Sequence, residues 1–108
     1  MTLRDVQPTG VPEGAYLLDV REVDEWRAGH APSATHIPLG ELQNRVGEVP
    51  QGQPVYVICR VGGRSAQAAT WLNHVGWDAV NVGGGMQSWA ASGLPMQSES
   101  DAQPPYVA

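Results

Sequence analysis

The chain has a single cysteine, Cys59, and the residues after it are of the types that activate a thiol. Cys59 ends the apolar run Val55–Cys59, and two glycines then stand between Arg60 and Arg64. A strand that leads through such a loop into a helix points free backbone N–H groups at one spot, which favours an anion. The N–H groups, the helix N-terminus and the guanidinium groups all favour a thiolate over a thiol. The sequence therefore predicts that Cys59 is a nucleophile near neutral pH.

A simpler interpretation is that Cys59 fills space at the end of a strand, since lone cysteines behave as small apolar residues. The loop favours the reactive interpretation, because Gly62 and Gly63 allow positive φ and a close approach of the backbone to a ligand. A cysteine that only fills space in the core needs neither the glycine pair nor the flanking arginines.

The length of the loop bears on which group it could hold. Protein tyrosine phosphatases place five residues between their cysteine and arginine in order to wrap a phosphate. Here four residues separate Cys59 from Arg64, and Ser65 stands where the phosphatase arginine would be. The shorter loop favours a sulfur atom over a phosphoryl group.

The elements around the loop predict an α/β fold. Buried or β-branched runs indicate strands, at Ala15–Val20, His36–Pro38, Val55–Cys59 and Asp78–Val82. Helical patterns lie between and after them, at Arg21–His30, Leu39–Val46, Arg64–Val75 and Met86–Gly93. Such alternation is typical of a mostly parallel sheet, in which ligands bind beyond the carboxyl ends of the strands. Cys59 stands at such an end.

Composition narrows the function classes. A chain of 108 residues is long enough for one small domain, and its apolar runs are far shorter than a membrane span needs. The net charge of −5, with six arginines and no lysine, argues against binding nucleic acid. The start, MTLRDVQPTG, has no secretory pattern, and one cysteine cannot form an internal disulfide. We expect a cytoplasmic protein that is not bound to a membrane.

Three stretches together resemble the rhodanese family in its single-domain form, over about residues 3–96. They are LLDVREVDEWRAGHAPSATHIPL, VYVICRVGGRSAQAA and VNVGGGMQSWAASGLP. Their order and spacing make the resemblance specific, whereas any one of them alone would be weak. The resemblance implies a five-stranded, mostly parallel sheet with helices on both faces.

The resemblance also implies a reaction. The family's cysteine takes a sulfane sulfur from a donor such as thiosulfate, becomes a persulfide and passes the sulfur to cyanide or a thiol. Carried over, Cys59 is the nucleophile, and the residues that cradle the persulfide are Arg60, Val61, Gly62, Gly63, Arg64 and Ser65. Arg60 and Arg64 would attract the anionic donor, which favours a thiosulfate-type over a mercaptopyruvate-type enzyme. The reaction needs no metal or organic cofactor.

Two other functions stay open. The domain could be a persulfide carrier that delivers sulfur to a partner with little turnover of its own. Less favoured is the related arsenate-reductase and phosphatase branch, because of the loop length. In any sulfur transfer the acceptor comes from outside, as cyanide, a small thiol or a thiol-bearing protein, because the chain has no second cysteine.

Asp19 and Arg21 follow the first predicted strand and could reach the rim of the active site. We favour a structural role for them, as a buried or half-buried ion pair. His30, His36 and His74 lack metal-ligand spacing, and we expect capping or surface roles for them. The glycines of Gly83–Gly85 lack a dinucleotide-binding pattern and predict a turn that leaves room for a neighbouring loop.

The last residues differ in character from the rest. From Gln97 onward the chain is polar and has no periodicity, so we predict one domain over residues 1–96 and a flexible tail over 97–108. Ser33 stands where the family usually has a glycine, which puts the local turn geometry in question.

Overall fold

The computed structural model describes residues 3–99 and 104–108, and within them strands and helices largely alternate along the chain. The strands are β1 (Asp5–Val6), β2 (Tyr16–Asp19), β3 (Thr35–His36), β4 (Pro54–Ile58) and β5 (Asp78–Val82). The helices are α1 (Val23–Ala28), α2 (Leu39–Arg45), α3 (Gly63–His74) and α4 (Gly85–Ala91). The predicted α/β fold is confirmed.

The five strands form one sheet in the order β1-β5-β4-β2-β3, and neighbouring strands are parallel throughout. Strand β4 lies in the middle, where Val57 pairs with Leu18 of β2 on one side and Asn81 of β5 on the other. Central parallel strands are buried on both faces, which agrees with the β-branched composition of β4. The loop after β4 is therefore fixed at the centre of the carboxyl edge of the sheet.

Helices cover both faces of the sheet, as predicted. Alternate strand residues point to opposite sides, so Leu18 and Val57 belong to a core that includes Leu42 of α2 and Leu72 of α3. Their neighbours on the other face belong to a second core, which contains Leu17, Ile58, Val82, Met86 and Trp89. The two cores hold β4, and thus the start of the Cys59 loop, from both sides.

The described part of the predicted tail lies against the end of α1. Gln97 forms an isolated antiparallel bridge with His30, and the Tyr106 N–H donates to the Ala28 carbonyl at 3.0 Å. Residues 100–103 of the predicted tail, and residues 1–2 of the predicted domain, lie outside the described residues. The division at residue 96 and the flexibility of the tail stay predictions.

Among residues 3–99 and 104–108, no helix is both long and apolar enough to cross a membrane. Over those ranges there is also no group of three His, Cys, Asp or Glu side chains that could hold a metal ion.

Candidate active site

The Cys59 loop turns sharply between β4 and α3. Cys59 follows the last residue of β4 and is 1% exposed. Gly62, which precedes α3, has φ of +112°, a left-handed conformation that a residue with a side chain rarely adopts. Of the two glycines predicted to allow positive φ, Gly62 has it and Gly63 does not. Gly62 thus directs the chain into the helix, and the first turn of α3 comes back towards the sulfur.

Two hydrogen bonds reach the sulfur directly. The Gly62 N–H donates to Cys59 Sγ at 3.1 Å, and the Ser65 hydroxyl donates to it at 3.3 Å. Burial of the thiol acts to raise its pKa, but the Ser65 hydroxyl and the N–H groups of Ser65, Gly62 and Val61 outweigh it. The pKa of Cys59 is therefore lowered from its ordinary value, and the site favours the thiolate.

Val61 supplies its backbone rather than its side chain to the site. Val61 is 54% exposed, so its side chain faces solvent while its N–H acts on the sulfur. A Cβ placed on Gly63 would meet nothing within 4 Å. Of the predicted cradle residues, the structure thus brings Val61, Gly62 and Ser65 to the sulfur of Cys59.

The variant Ser65→Ala tests whether the Ser65 hydroxyl stabilises the Cys59 thiolate. Without the hydroxyl the pKa of Cys59 should rise, so the alkylation rate with iodoacetamide should reach its midpoint at higher pH. Hydrogen bonds to charged groups are worth about 1.5–3 kcal/mol, but a thiolate of higher pKa is also the stronger nucleophile. Below that midpoint the alkylation rate should therefore fall about threefold or more. Thr70→Ala is the matched control, since the Thr70 hydroxyl bonds within α3 to the Ala66 carbonyl. An unchanged midpoint in Ser65→Ala would contradict this account of the thiolate.

Helix α4 forms two backbone hydrogen bonds with the Cys59 loop. The Met86 N–H donates to the Cys59 carbonyl at 2.8 Å, and the Gln87 N–H donates to the Arg60 carbonyl at 3.0 Å. Gly85 makes this approach possible, because a Cβ on it would lie 2.6 Å from the Arg60 carbonyl carbon and oxygen. The predicted turn lies at Gly83 and Gly84, and Gly85, which begins α4, provides the predicted room for the neighbouring loop.

A side-chain network that supports the loop was not predicted from the sequence. Asn81 of β5 is 5% exposed, and its side-chain amide donates to an Asp5 carboxylate oxygen at 2.7 Å and to the Gly62 carbonyl at 3.4 Å. Asn81 therefore connects the edge strand β1 to Gly62, the residue whose N–H contacts the sulfur. No local pattern marks this network, since Asp5 and Asn81 are 76 positions apart.

The two arginines of the loop differ in their surroundings. Arg64 donates from Nη1 and Nη2 to the carboxylate oxygens of Glu25 at 2.7 and 2.9 Å. Hydrogen bonding to Arg64 lowers the pKa of Glu25 to about 2, and hydrogen bonding to Glu25 raises the pKa of Arg64. Arg60 is exposed and has no ion-pair partner within the described ranges. The free cation of the loop is therefore Arg60.

Asp19 and Arg21 are turned into the interior. Both side chains are 0% exposed, and Arg21 Nη2 donates to Asp19 at 2.8 Å and to the Gly29 carbonyl at 2.8 Å. Their geometry supports the buried ion pair that the sequence analysis favoured, and neither side chain is presented to solvent beside the loop. The pair links the end of β2 to the end of α1.

His30 does not have the surface or capping role expected from the sequence. It is 2% exposed, and its ring stacks on Trp26 with centroids 3.5 Å apart. His36 also stacks on Trp26, at 4.8 Å. The expectation was wrong for His30, because stacking depends on how α1 and the following segment fold together, which histidine spacing does not reveal.

Comparison with known families and proteins agrees with this geometry. The family model described as Rhodanese-like domain matches residues 5–92. The Bacillus subtilis "Putative sulfur carrier protein YrkF" is 41% identical over 78 residues, which make up 71% of this chain and 42% of that protein. A protein named "Sulfurtransferase" from Allochromatium vinosum is 36% identical over 85 residues, or 78% and 79% of the two chains.

A solved structure gives the same result for the fold. The crystal structure of a rhodanese-related protein from Thermoplasma volcanium superposes with a TM-score of 0.82 at 33% sequence identity. The match covers 87% of this chain and 97% of that one. The chain thus spans nearly all of a single-domain structure but less than half of the length of YrkF.

Proposed function

Because the chain belongs to the rhodanese-like domain family, we propose that it is a sulfurtransferase acting through a persulfide on Cys59. It moves a sulfane sulfur from thiosulfate, or a similar small anionic donor, to a thiol or to cyanide. The observation that carries the proposal is the sulfur of Cys59 at the end of β4, accepting hydrogen bonds from the Gly62 N–H and the Ser65 hydroxyl. Those donors favour negative charge on sulfur.

In the first half-reaction, Cys59 receives a sulfur atom from the donor. The Cys59 thiolate attacks the outer sulfur of thiosulfate, a new S–S bond forms, and the old S–S bond breaks with its electron pair leaving on sulfite. The terminal persulfide sulfur carries negative charge. The N–H groups of Val61, Gly62 and Ser65, which act on Cys59 before the reaction, would stabilise that charge as an anion hole does.

The second half-reaction regenerates the enzyme. The acceptor, an external thiolate or cyanide, attacks the terminal sulfur of the persulfide, and the Cys59 thiolate leaves with the electron pair. Cys59 is the single cysteine of the sequence, so no second thiol of this chain can accept the sulfur. A thiol-bearing protein could serve as well as a small thiol. We infer a reducing compartment such as the cytoplasm, because the catalytic thiol must stay reduced.

Steady-state kinetics test this proposal against the carrier alternative, which the similarity to YrkF favours. We expect thiocyanate to form from thiosulfate and cyanide for many turnovers per protein molecule, at a rate that saturates with thiosulfate. Release of one thiocyanate per molecule, with no turnover after it, would contradict the enzyme and support a carrier. Hydrolysis of an aryl phosphate would favour the phosphatase branch, against which the four-residue spacing of Cys59 and Arg64 argues.

A further inference from the structure

Arg64 is close enough to Cys59 to interact with it electrostatically, but Glu25 offsets the charge of Arg64. Arg64 directly precedes Ser65, whose hydroxyl contacts Cys59 Sγ at 3.3 Å. Both guanidinium Nη atoms donate to Glu25, and the side chains of the pair are only 35% and 15% exposed. Such a bidentate pair, partly shielded from water, fixes the guanidinium as well as offsetting its charge.

A third hydrogen bond holds the carboxylate of Glu25 in place. Glu25 Oε1 also accepts the Glu22 N–H at 2.9 Å, at the start of α1. The first turn of α1 therefore keeps the carboxylate against Arg64. Because hydrogen bonding to Arg64 lowers the pKa of Glu25 to about 2, Glu25 keeps its negative charge at every pH at which the protein would be assayed.

We propose that Glu25 is a specificity-determining residue, whose carboxylate limits the preference of the site for doubly charged sulfur donors over singly charged ones. The inference deepens the proposed function and rests on it. Glu25 lies in the signature DVREVDEW, of which it is the fourth acidic residue. Glu25 acts through Arg64 and is thus a positioning residue with an electrostatic effect.

The direction of the effect follows from the charges around the thiolate. Arg60 contributes one unpaired positive charge, while Arg64 and Glu25 together contribute none. The Coulomb energy between a fixed charge and a ligand is proportional to the charge of the ligand. Removing the negative charge of Glu25 therefore makes the binding free energy of a dianion more favourable by about twice as much as that of a monoanion of similar shape.

The experiment compares two donors that differ in charge but share a transferable outer sulfur bonded to a sulfonyl group. Thiosulfate is a dianion, and methanethiosulfonate is a monoanion. For Glu25→Gln we expect the ratio of kcat/KM for thiosulfate to that for methanethiosulfonate to rise about threefold or more at low ionic strength. Added salt should reduce this rise in the ratio of the two kcat/KM values. The change should lie mainly in KM, because the groups on the sulfur are untouched.

Glu48→Gln is the matched control. Glu48 forms a similar pair with Arg45, at 2.9 and 3.1 Å, and its loss changes the net charge by the same amount. Arg45 ends α2, before β4 begins, so this pair lies away from the carboxyl edge that holds Cys59. The donor ratio should not change in Glu48→Gln. An unchanged or lower ratio in Glu25→Gln, or an equal rise in both variants, would overturn the inference.

Two further measurements separate this inference from the proposed function. Sulfate and methanesulfonate also differ by one charge, and their protection of Cys59 against iodoacetamide reports anion binding without sulfur transfer. We expect Glu25→Gln to improve protection by sulfate more than protection by methanesulfonate, even if neither donor is turned over. Arg64→Gln should shift the same preference in the opposite direction, which tests the inference if Glu25→Gln fails to fold. Equal changes for both anions would overturn it.

Discussion

Replacing Cys59 with serine should lower thiocyanate formation from thiosulfate and cyanide by at least about a thousandfold. A serine hydroxyl is almost wholly protonated at neutral pH, and the hydrogen bonds at this site are placed to favour a sulfur anion, not an alcohol. The Gly62 N–H and the Ser65 hydroxyl, at 3.1 and 3.3 Å from the sulfur, would remain but would have no thiolate to stabilise. The assay is the initial rate of thiocyanate formation with saturating donor.

The fold of Cys59→Ser must be checked in the same samples. Cys59 is 1% exposed and belongs to the core beneath α2 and α3, so the variant should lose some stability but still unfold cooperatively. Thermal unfolding by circular dichroism measures this. A folded Cys59→Ser protein that forms thiocyanate at a rate near that of the parent would refute a covalent role for the thiol.

Replacing Gly85 with alanine should both destabilise the protein and lower sulfur transfer by about tenfold or more. The new Cβ would lie 2.6 Å from the carbonyl carbon and oxygen of Arg60, and these backbone atoms cannot move without moving the loop. Gly85 also has φ of +56°, which strains any residue with a side chain. The N–H of Met86 would then lose its position against the Cys59 carbonyl.

Gly93→Ala is the matched control for this effect. Gly93 follows the other end of α4 with φ of +72°, yet a Cβ there would meet nothing within 4 Å. Gly93→Ala should lower the free energy of unfolding only by the backbone strain, about 1 kcal/mol. Its activity should stay close to that of the parent. Urea unfolding and thiocyanate kinetics on both variants measure the two effects. Equal losses of activity in the two variants would mean that the contact between Gly85 and the loop does not matter.

The features that sequence analysis predicted correctly are those encoded by adjacent residues. The run Val55–Cys59 indicates a central strand, Gly62 permits the left-handed turn, and the alanine-rich stretch after Arg64 indicates a helix. Neighbouring residues decide each of these, and together they place the cysteine at the carboxyl edge of a parallel sheet. The resemblance to the rhodanese family added the number of strands and the helices on both faces.

The features that it missed depend on contacts between distant parts of the chain. Glu25 pairs with Arg64, 39 positions away, and no local pattern of acidic residues indicates that pairing. The expectation that both arginines attract the donor treated them alike, because sequence shows charge but not its neutralisation. Asn81 was missed for the same reason, since the side-chain amide that supports Gly62 lies within a strand that looks ordinary.

Intact mass of the parent protein after brief incubation with thiosulfate tests the central claim most directly. The account predicts a gain of one sulfur, about 32 mass units, on the parent and none on Cys59→Ser, with the gain removed by cyanide or a thiol. The hydrogen bonds on Cys59 Sγ should make this species stable enough to observe. No gain with thiosulfate or any other sulfane donor, while Cys59 is reduced and reacts with iodoacetamide, would contradict it.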